Sequence, residues 1–181
     1  MKKRNTFTLI LLALCAASIQ AAPKAGTTDS IPTVAKLDMT LFEGAWYELS
    51  RIPIPIARDW VNTRDVYIHN SDGSWSVRYE GNKGGPDGKQ GVLKQKLRIP
   101  DPGKPGEMEV SFIPFVWMKY RLVYMSADSR FMLVTSTSKD LLWLMGRVAV
   151  PAQADYDALV TKASALGFDV TRLERVPQTG K

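Results

Sequence analysis

Few side chains in this sequence suit covalent or acid–base chemistry. His69 is the single histidine and Cys15 the single cysteine, so any Ser-His-Asp or Cys-His arrangement must be built around one imidazole. His69 lies just before the turn pair Asp72-Gly73, which places it at a strand end in contact with water rather than beside a nucleophile. No phosphate-cradling glycine loop, metal-ligand spacing or dinucleotide fingerprint is present. Neither a cofactor nor a metal is expected, and the chain reads as non-enzymatic. Glu48 and Asp65 are the remaining pair to weigh: on neighbouring strands facing one cavity they can act as acid and base, although hydrogen bonding to nearby Tyr or Arg side chains is the plainer role.

The elements that must position these residues are strands. From Leu37 to Arg147 short runs of Val, Ile, Leu, Tyr and Trp alternate with polar residues and are punctuated by Gly, Pro, Asp and Asn, the pattern of an antiparallel all-β domain. Strands are predicted at 45–53, 64–70, 74–80, 88–99, 106–113, 119–126, 130–137 and 140–148, with turns at Asp72-Gly73, Gly84-Gly85-Pro86, Asp101-Pro102-Gly103 and Asp128-Ser129. In one of them Leu93, Gln95, Leu97 and Ile99 alternate with Lys94, Lys96 and Arg98, so the charged set faces water. Eight consecutive strands with short links suggest a meander, and closing it into a barrel removes the open edges and leaves room for packed side chains or one small ligand. After Pro151, Tyr156, Leu159, Val160, Ala163 and Leu166 recur at helical spacing and Gly167 stands where a helix ends; residues 168–176 read as one more short strand.

The N-terminus has the layout of a secretory leader: basic Met1-Lys2-Lys3-Arg4, an apolar run from Phe7 to Leu14, and small residues from Ala16 to Ala22. Cleavage after Ala21 is favoured over acylation at Cys15, because an acylation box carries Gly, Ala or Ser before the Cys and here Leu14 stands. Residues 1–21 are therefore read as leader, 22–36 as a mobile arm, 37–176 as one barrel domain with its helix, and 177–181 as a tail. Loss of Lys2, Lys3 and Arg4 lowers the formal net charge from +6 to +3, a surplus too small to point to nucleic acid.

Gly44-Ala45-Trp46-Tyr47-Glu48 resembles the Gly-x-Trp-Tyr-Glu signature that opens the first strand of lipocalins. Others follow in order: Asp72-Gly73 ends the second strand, Val110-Ser111-Phe112 with Pro114-Phe115 resembles the fifth, and Leu142-Trp143-Leu144-Met145-Gly146-Arg147 resembles the last with its single Arg. The resemblance spans residues 37 to 176 and is to the group that includes bacterial outer-membrane lipocalins, plant temperature-induced lipocalins and apolipoprotein D. It implies an eight-stranded antiparallel up-and-down barrel with a C-terminal helix packed outside. Gly44, Trp46 and Arg147 are implied as structural, the guanidinium stacking on the indole and bonding backbone carbonyls to seal the barrel floor.

Taking the parity of Trp46 and Arg147 from that resemblance, alternation assigns an inward, ligand-facing set: Glu48, Ser50, Asp65, Tyr67, Val77, Tyr79, Leu93, Gln95, Leu97, Met108, Val110, Phe112, Tyr120, Leu122, Tyr124, Met132, Val134, Trp143 and Met145. The implied function is to bind, store or carry a fatty acid, lysophospholipid or similar amphiphile in the periplasm, in contact with the outer membrane peripherally or through a lipid anchor, with the inward polar groups near the mouth holding the head group. A lipocalin-fold enzyme and an interaction module with a filled barrel, alone or as an oligomer, are the alternatives. The apolar loop Pro53-Ile54-Pro55-Ile56 with Trp60 suits a lid, a membrane contact or a partner contact.

Overall fold

The structure, a computed structural model, describes residues 26–179; the expected leader, with both the Ala21 and the Cys15 readings, lies outside them. Eight strands follow in sequence: β1 (Gly44–Arg51), β2 (Trp60–His69), β3 (Trp75–Lys83), β4 (Gln90–Arg98), β5 (Glu107–Ile113), β6 (Val116–Met125), β7 (Phe131–Thr135) and β8 (Leu142–Gly146). Each pairs antiparallel with the next, and β1 pairs with both β2 and β8, so the sheet closes into the expected barrel. The turns form where the sequence marks them. Asp72 accepts from Ser74 N at 2.9 Å beside Gly73, whose φ of +81° a side chain resists, and Asp101 accepts from Gly103 N at 2.9 Å.

Strand limits differ where alternation breaks. β2 starts at Trp60 rather than residue 64, because Asn62 sits at φ +54° inside a register shift between Val61 and Arg64. β6 starts at Val116 rather than 119, extending the β5–β6 hairpin. Residues 168–176 form a 3-10 turn (Val170–Arg172) and a two-residue strand, β9 (Glu174–Arg175), which pairs with Ser50 and Arg51. A short helix, α1 (Met39–Phe42), precedes β1, its first turn held by the Asp38 carboxylate on Thr40 N at 2.9 Å.

Apolar residues collect in two places. One cluster, with Phe42, Trp46, Val77, Met108, Met132 and Met145, fills the lower barrel. The other lies outside the wall of β1, β7 and β8, where Leu49, Ile52, Leu133, Leu142 and Leu144 meet Tyr156, Leu159 and Ala163 of α2 (Gln153–Ala165). Both faces of β7 are therefore buried, which is why it reads as an apolar run rather than an alternation. Gly167, at φ +81°, follows α2 as expected.

The segment expected to be mobile is fastened, and the expected tail is bonded to the barrel. In the expected arm, Ile31 is buried, Arg121 donates to the carbonyls of Thr28 and Ile31, and Val34 N donates to Leu122 O at 2.9 Å. In the expected tail, Gln178 Nε2 donates to the carbonyls of Glu48 and Thr63, both at 2.9 Å. Pairing of β1 with β2 stops at Tyr47 and Arg64, and this amide bridges the two strands where they part.

Candidate ligand-binding lumen

The floor fixes the orientation of the barrel. Trp46 is fully buried, its indole N–H donating to Phe42 O at 2.8 Å. The Arg147 guanidinium lies 3.9 Å over that ring and donates to Ala45 O and Glu43 O, each at 2.8 Å, and to Leu41 O. Gly44, at φ +91°, lets the chain turn beneath it. Because the strands run up and down, the β1–β2, β3–β4, β5–β6 and β7–β8 connections stand at the opposite end, the mouth.

Most of the expected inward set faces inward. Tyr67, Val77, Leu97, Met108, Val110, Leu122, Met132, Val134 and Met145 are buried together in the lower half, with Tyr120 and Trp143 packed against them from above. Tyr79 is inward through its hydrogen bond to Glu48, and Leu93 and Gln95 share its face because they pair directly with Tyr79 and Val77. Three residues depart. Ser50 and Tyr124 point outward: Ser50 Oγ lies 2.8 Å from the Tyr156 hydroxyl on α2, and Tyr124 packs on the outer cluster with Lys162 over its ring. Each follows a β-bulge, with Leu49 inserted before Ser50 and Val123 before Tyr124, and an extra residue reverses every assignment beyond it. Phe112 is on the mouth rim, 44% exposed, next to a register shift between Val110 and Ile113.

The first bulge brings in residues that alternation hid. Arg51, past it, turns inward: Nη1 meets Glu48 Oε2 at 2.7 Å, and Nη2 donates to the carbonyls of Ala57 at 3.1 Å and Arg58 at 3.0 Å. Glu48, wholly buried, also accepts from Tyr79 at 3.0 Å and from Thr63. Trp60, expected in an exposed loop, is buried as the first residue of β2 and stacks on Tyr79 at 5.7 Å. Glu48 and Tyr79 of this group belong to the expected inward set, whereas Arg51 shows in the sequence only as a charge between Ser50 and Ile52.

Lower down, Asp65 accepts from the Tyr67 hydroxyl at 3.2 Å, and Tyr67 is bonded to Tyr120. Burial, reinforced by the Glu48 charge, pushes the Asp65 carboxyl up to about 7; the Tyr67 and Tyr120 phenols rise as well, chiefly from burial. Among the described residues, one oxygen on each acid, Glu48 Oε1 and Asp65 Oδ1, has no hydrogen-bond partner. The inward polar groups therefore divide: Asp65 and Tyr67 lie toward the floor, opposite Trp46 and Gly44 of β1, whereas Glu48, Arg51 and Tyr79 are tied to the β1–β2 loop on the mouth side. His69 is at the surface near the floor, stacked on Trp75 at 4.8 Å, remote from both acids along β2. Among the described residues no group of His, Cys, Asp or Glu is placed to hold a metal.

Above the floor the barrel is not filled. Leu93 and Met118 are inward, Met118 because it pairs with Val110, yet they are 37% and 38% exposed. Tyr79, Gln95, Tyr120 and Trp143 also remain partly accessible. An inward side chain reached by solvent lines an open lumen. A second concavity, of about 1150 Å³, lies at the closed end and includes Leu37, Trp75, Ile99 and Trp117.

A closed eight-stranded meander with an Arg-on-Trp floor and an outer helix is the architecture of a lipocalin. A lipocalin-like domain profile matches residues 37–178, and the chain belongs to that family. It is 29% identical over 155 residues to temperature-induced lipocalin-1 of Arabidopsis thaliana, covering 81% of this chain and 82% of that protein. It is 24% identical over 175 residues to the outer membrane lipoprotein Blc of Escherichia coli K12, covering 95% and 97%. Insecticyanin of the tobacco hornworm Manduca sexta superposes with a TM-score of 0.68 at 16% identity, covering 86% and 88%; that likeness concerns the fold.

Proposed function

We infer that the protein binds and carries a single-chain amphiphile in the upper half of its barrel, in the bacterial envelope. The observation that carries this reading is the exposure of Leu93 and Met118 inside a closed barrel, since a filled interaction module has no such space. An acyl chain lying over Leu93, Met118 and Trp143 leaves water at about 0.8 kcal/mol per methylene. The lower half of the barrel is packed with apolar side chains and offers a charged head nothing to replace water, so the chain enters tail down and its head stays at the mouth. That favours a lysophospholipid, whose large head remains in water, over a fatty acid carried deep. No helix of the described residues is long and apolar enough to cross a membrane, and the likeness to an outer membrane lipoprotein supports a place in the periplasm or at that membrane.

Native mass spectrometry of protein taken from its own envelope, followed by titration with a lysophospholipid, tests the reading. Copurified amphiphile and a change in Trp143 emission that is mostly lost in Trp143→Phe are expected. Chemically altered product would indicate an enzyme. Tight binding with no change at Trp143 would move the site to the groove at Trp75 and Trp117.

A further inference from the structure

Strand β4 is paired with β3 from Gln90 to Leu97, but on its other side only Lys96, Leu97 and Arg98 meet β5, at Ser111, Val110 and Glu109. Toward the mouth β5 leaves this ladder: Ser111 Oγ donates to Ile113 O at 2.8 Å, and the register with β6 shifts between Val110 and Ile113. The wall is therefore split from the mouth down to Lys96 and Ser111. Among the described residues, the edge of β4 from Gly91 to Gln95 has no strand partner across the split, and alternate backbone N–H groups of an unpaired edge are free to bond something else.

The opposite part of the mouth is roofed. Trp60 is buried against Tyr79 with Lys83 Nζ 5.2 Å over its ring, and Gly91 leaves the room that a Cβ, 2.3 Å from the indole, would take. Arg51 holds the β1–β2 loop there through the carbonyls of Ala57 and Arg58. Glu48 and Thr63, bonded to each other beneath it, are wholly buried. By contrast Leu93, on one bank of the split, and Met118, one strand beyond the other bank, are the inward side chains that solvent reaches. The lumen therefore opens sideways, between β4 and β5. Lys94 and Lys96 stand exposed on the outer face of the β4 bank, and neither makes an ion pair among the described residues. The carboxylates diagonal to them are already held, Glu80 by Arg64 and Arg78 and Glu109 by Arg98. We propose that the head group of the bound amphiphile leaves the barrel through this split and that its phosphate is held there by Lys94, Lys96 and the free N–H groups of β4. Charge-assisted bonds of this kind favour a lysophospholipid with a net anionic head, since a quaternary ammonium finds no free carboxylate on that bank. The proposal rests on the carrier reading and adds to it where the head lies and what charge it bears.

The test titrates the exported protein with lysophosphatidylglycerol, lysophosphatidylcholine and an uncharged monoacylglycerol of the same chain length, read by Trp143 emission. Lys94→Gln combined with Lys96→Gln, both at exposed positions, should keep the unfolding midpoint and the monoacylglycerol affinity while weakening lysophosphatidylglycerol about tenfold. The parent should prefer lysophosphatidylglycerol to lysophosphatidylcholine, and added salt should shrink that preference. A lysophosphatidylglycerol with a diazirine on its glycerol head should label residues 92–96 and 111–113 on irradiation. Unchanged lysophosphatidylglycerol affinity in the paired variant, an equal loss for all three lipids, or label confined to the β1–β2 or β7–β8 loop overturns the proposal, and a Trp143 response in those cases leaves the carrier reading standing. Binding of none of the three lipids removes both.

Discussion

Arg51 and Glu48 form a buried ion pair at 2.7 Å on the inner wall of the barrel, although residues three apart in a regular strand face opposite sides. The bulge at Leu49 brings them together. Arg51 thereby joins two tasks: it balances a carboxylate in the lumen, and through the carbonyls of Ala57 and Arg58 it holds the β1–β2 loop at the mouth.

Arg51→Ala should therefore lower stability by about 3–5 kcal/mol, since it strands a buried charge. Adding Glu48→Gln should restore much of the loss in a double-mutant comparison of urea midpoints. If the single variant unfolds where the parent does, the pair contributes no net stability.

Asp65 links stability to pH. Its folded carboxyl titrates near 7 against about 3.9 unfolded. Below the unfolded value both states are protonated and the residue costs nothing. As pH rises toward 7 the unfolded chain ionises while the folded one keeps its proton, so stability falls and then levels off. Asp65→Asn should remove that fall, its advantage over the parent growing between about pH 5 and pH 8 by up to a few kcal/mol. Parallel midpoints at the two pH values would contradict the assignment.

Arg147→Ala should cost about 2–4 kcal/mol, because the contact on Trp46 and the bonds to three carbonyls are lost together. Arg147→Lys should recover only part, having no planar fork to stack and bond at once. A denaturant midpoint equal to the parent's in Arg147→Ala would show that the floor closes without it.

Filling the lumen should shorten the ligand it accepts. Leu93→Trp narrows the open half, so affinity for long-chain lysophospholipids should fall more than for short ones, by about 0.8 kcal/mol for each displaced methylene. Val110 and Leu122 lie in the packed lower half, where a Trp overpacks the core and should instead reduce stability by about 1–3 kcal/mol. Equal loss at every chain length in Leu93→Trp would argue against a chain in the barrel.

The barrel, its floor and its outer helix were legible because they rest on periodicity and on Gly44, Trp46 and Arg147, whose spacing survives in the strands. Inward facing was legible only up to a bulge. A single extra residue carries no compositional mark, so Ser50 and Tyr124 were assigned to the wrong face and Arg51 and Thr63 went unseen. The depth of Asp65 and Tyr67 was also hidden, since alternation gives the side of the sheet and not the height in the barrel. The fastening of residues 27–34 depends on Arg121 reaching carbonyls about ninety positions away in the sequence, and local composition cannot report that.

Where β1 and β2 part, the wall is completed by residues 177–179: Asn62 N donates to Pro177 O at 2.8 Å, Thr179 N to Asn62 Oδ1 at 2.7 Å, and Gln178 spans both strands. These residues follow all eight strands in the sequence. The first seam of the barrel is therefore closed by a segment made after its last strand, and a chain cut short before Pro177 keeps its eight strands but loses the clasp between the first two.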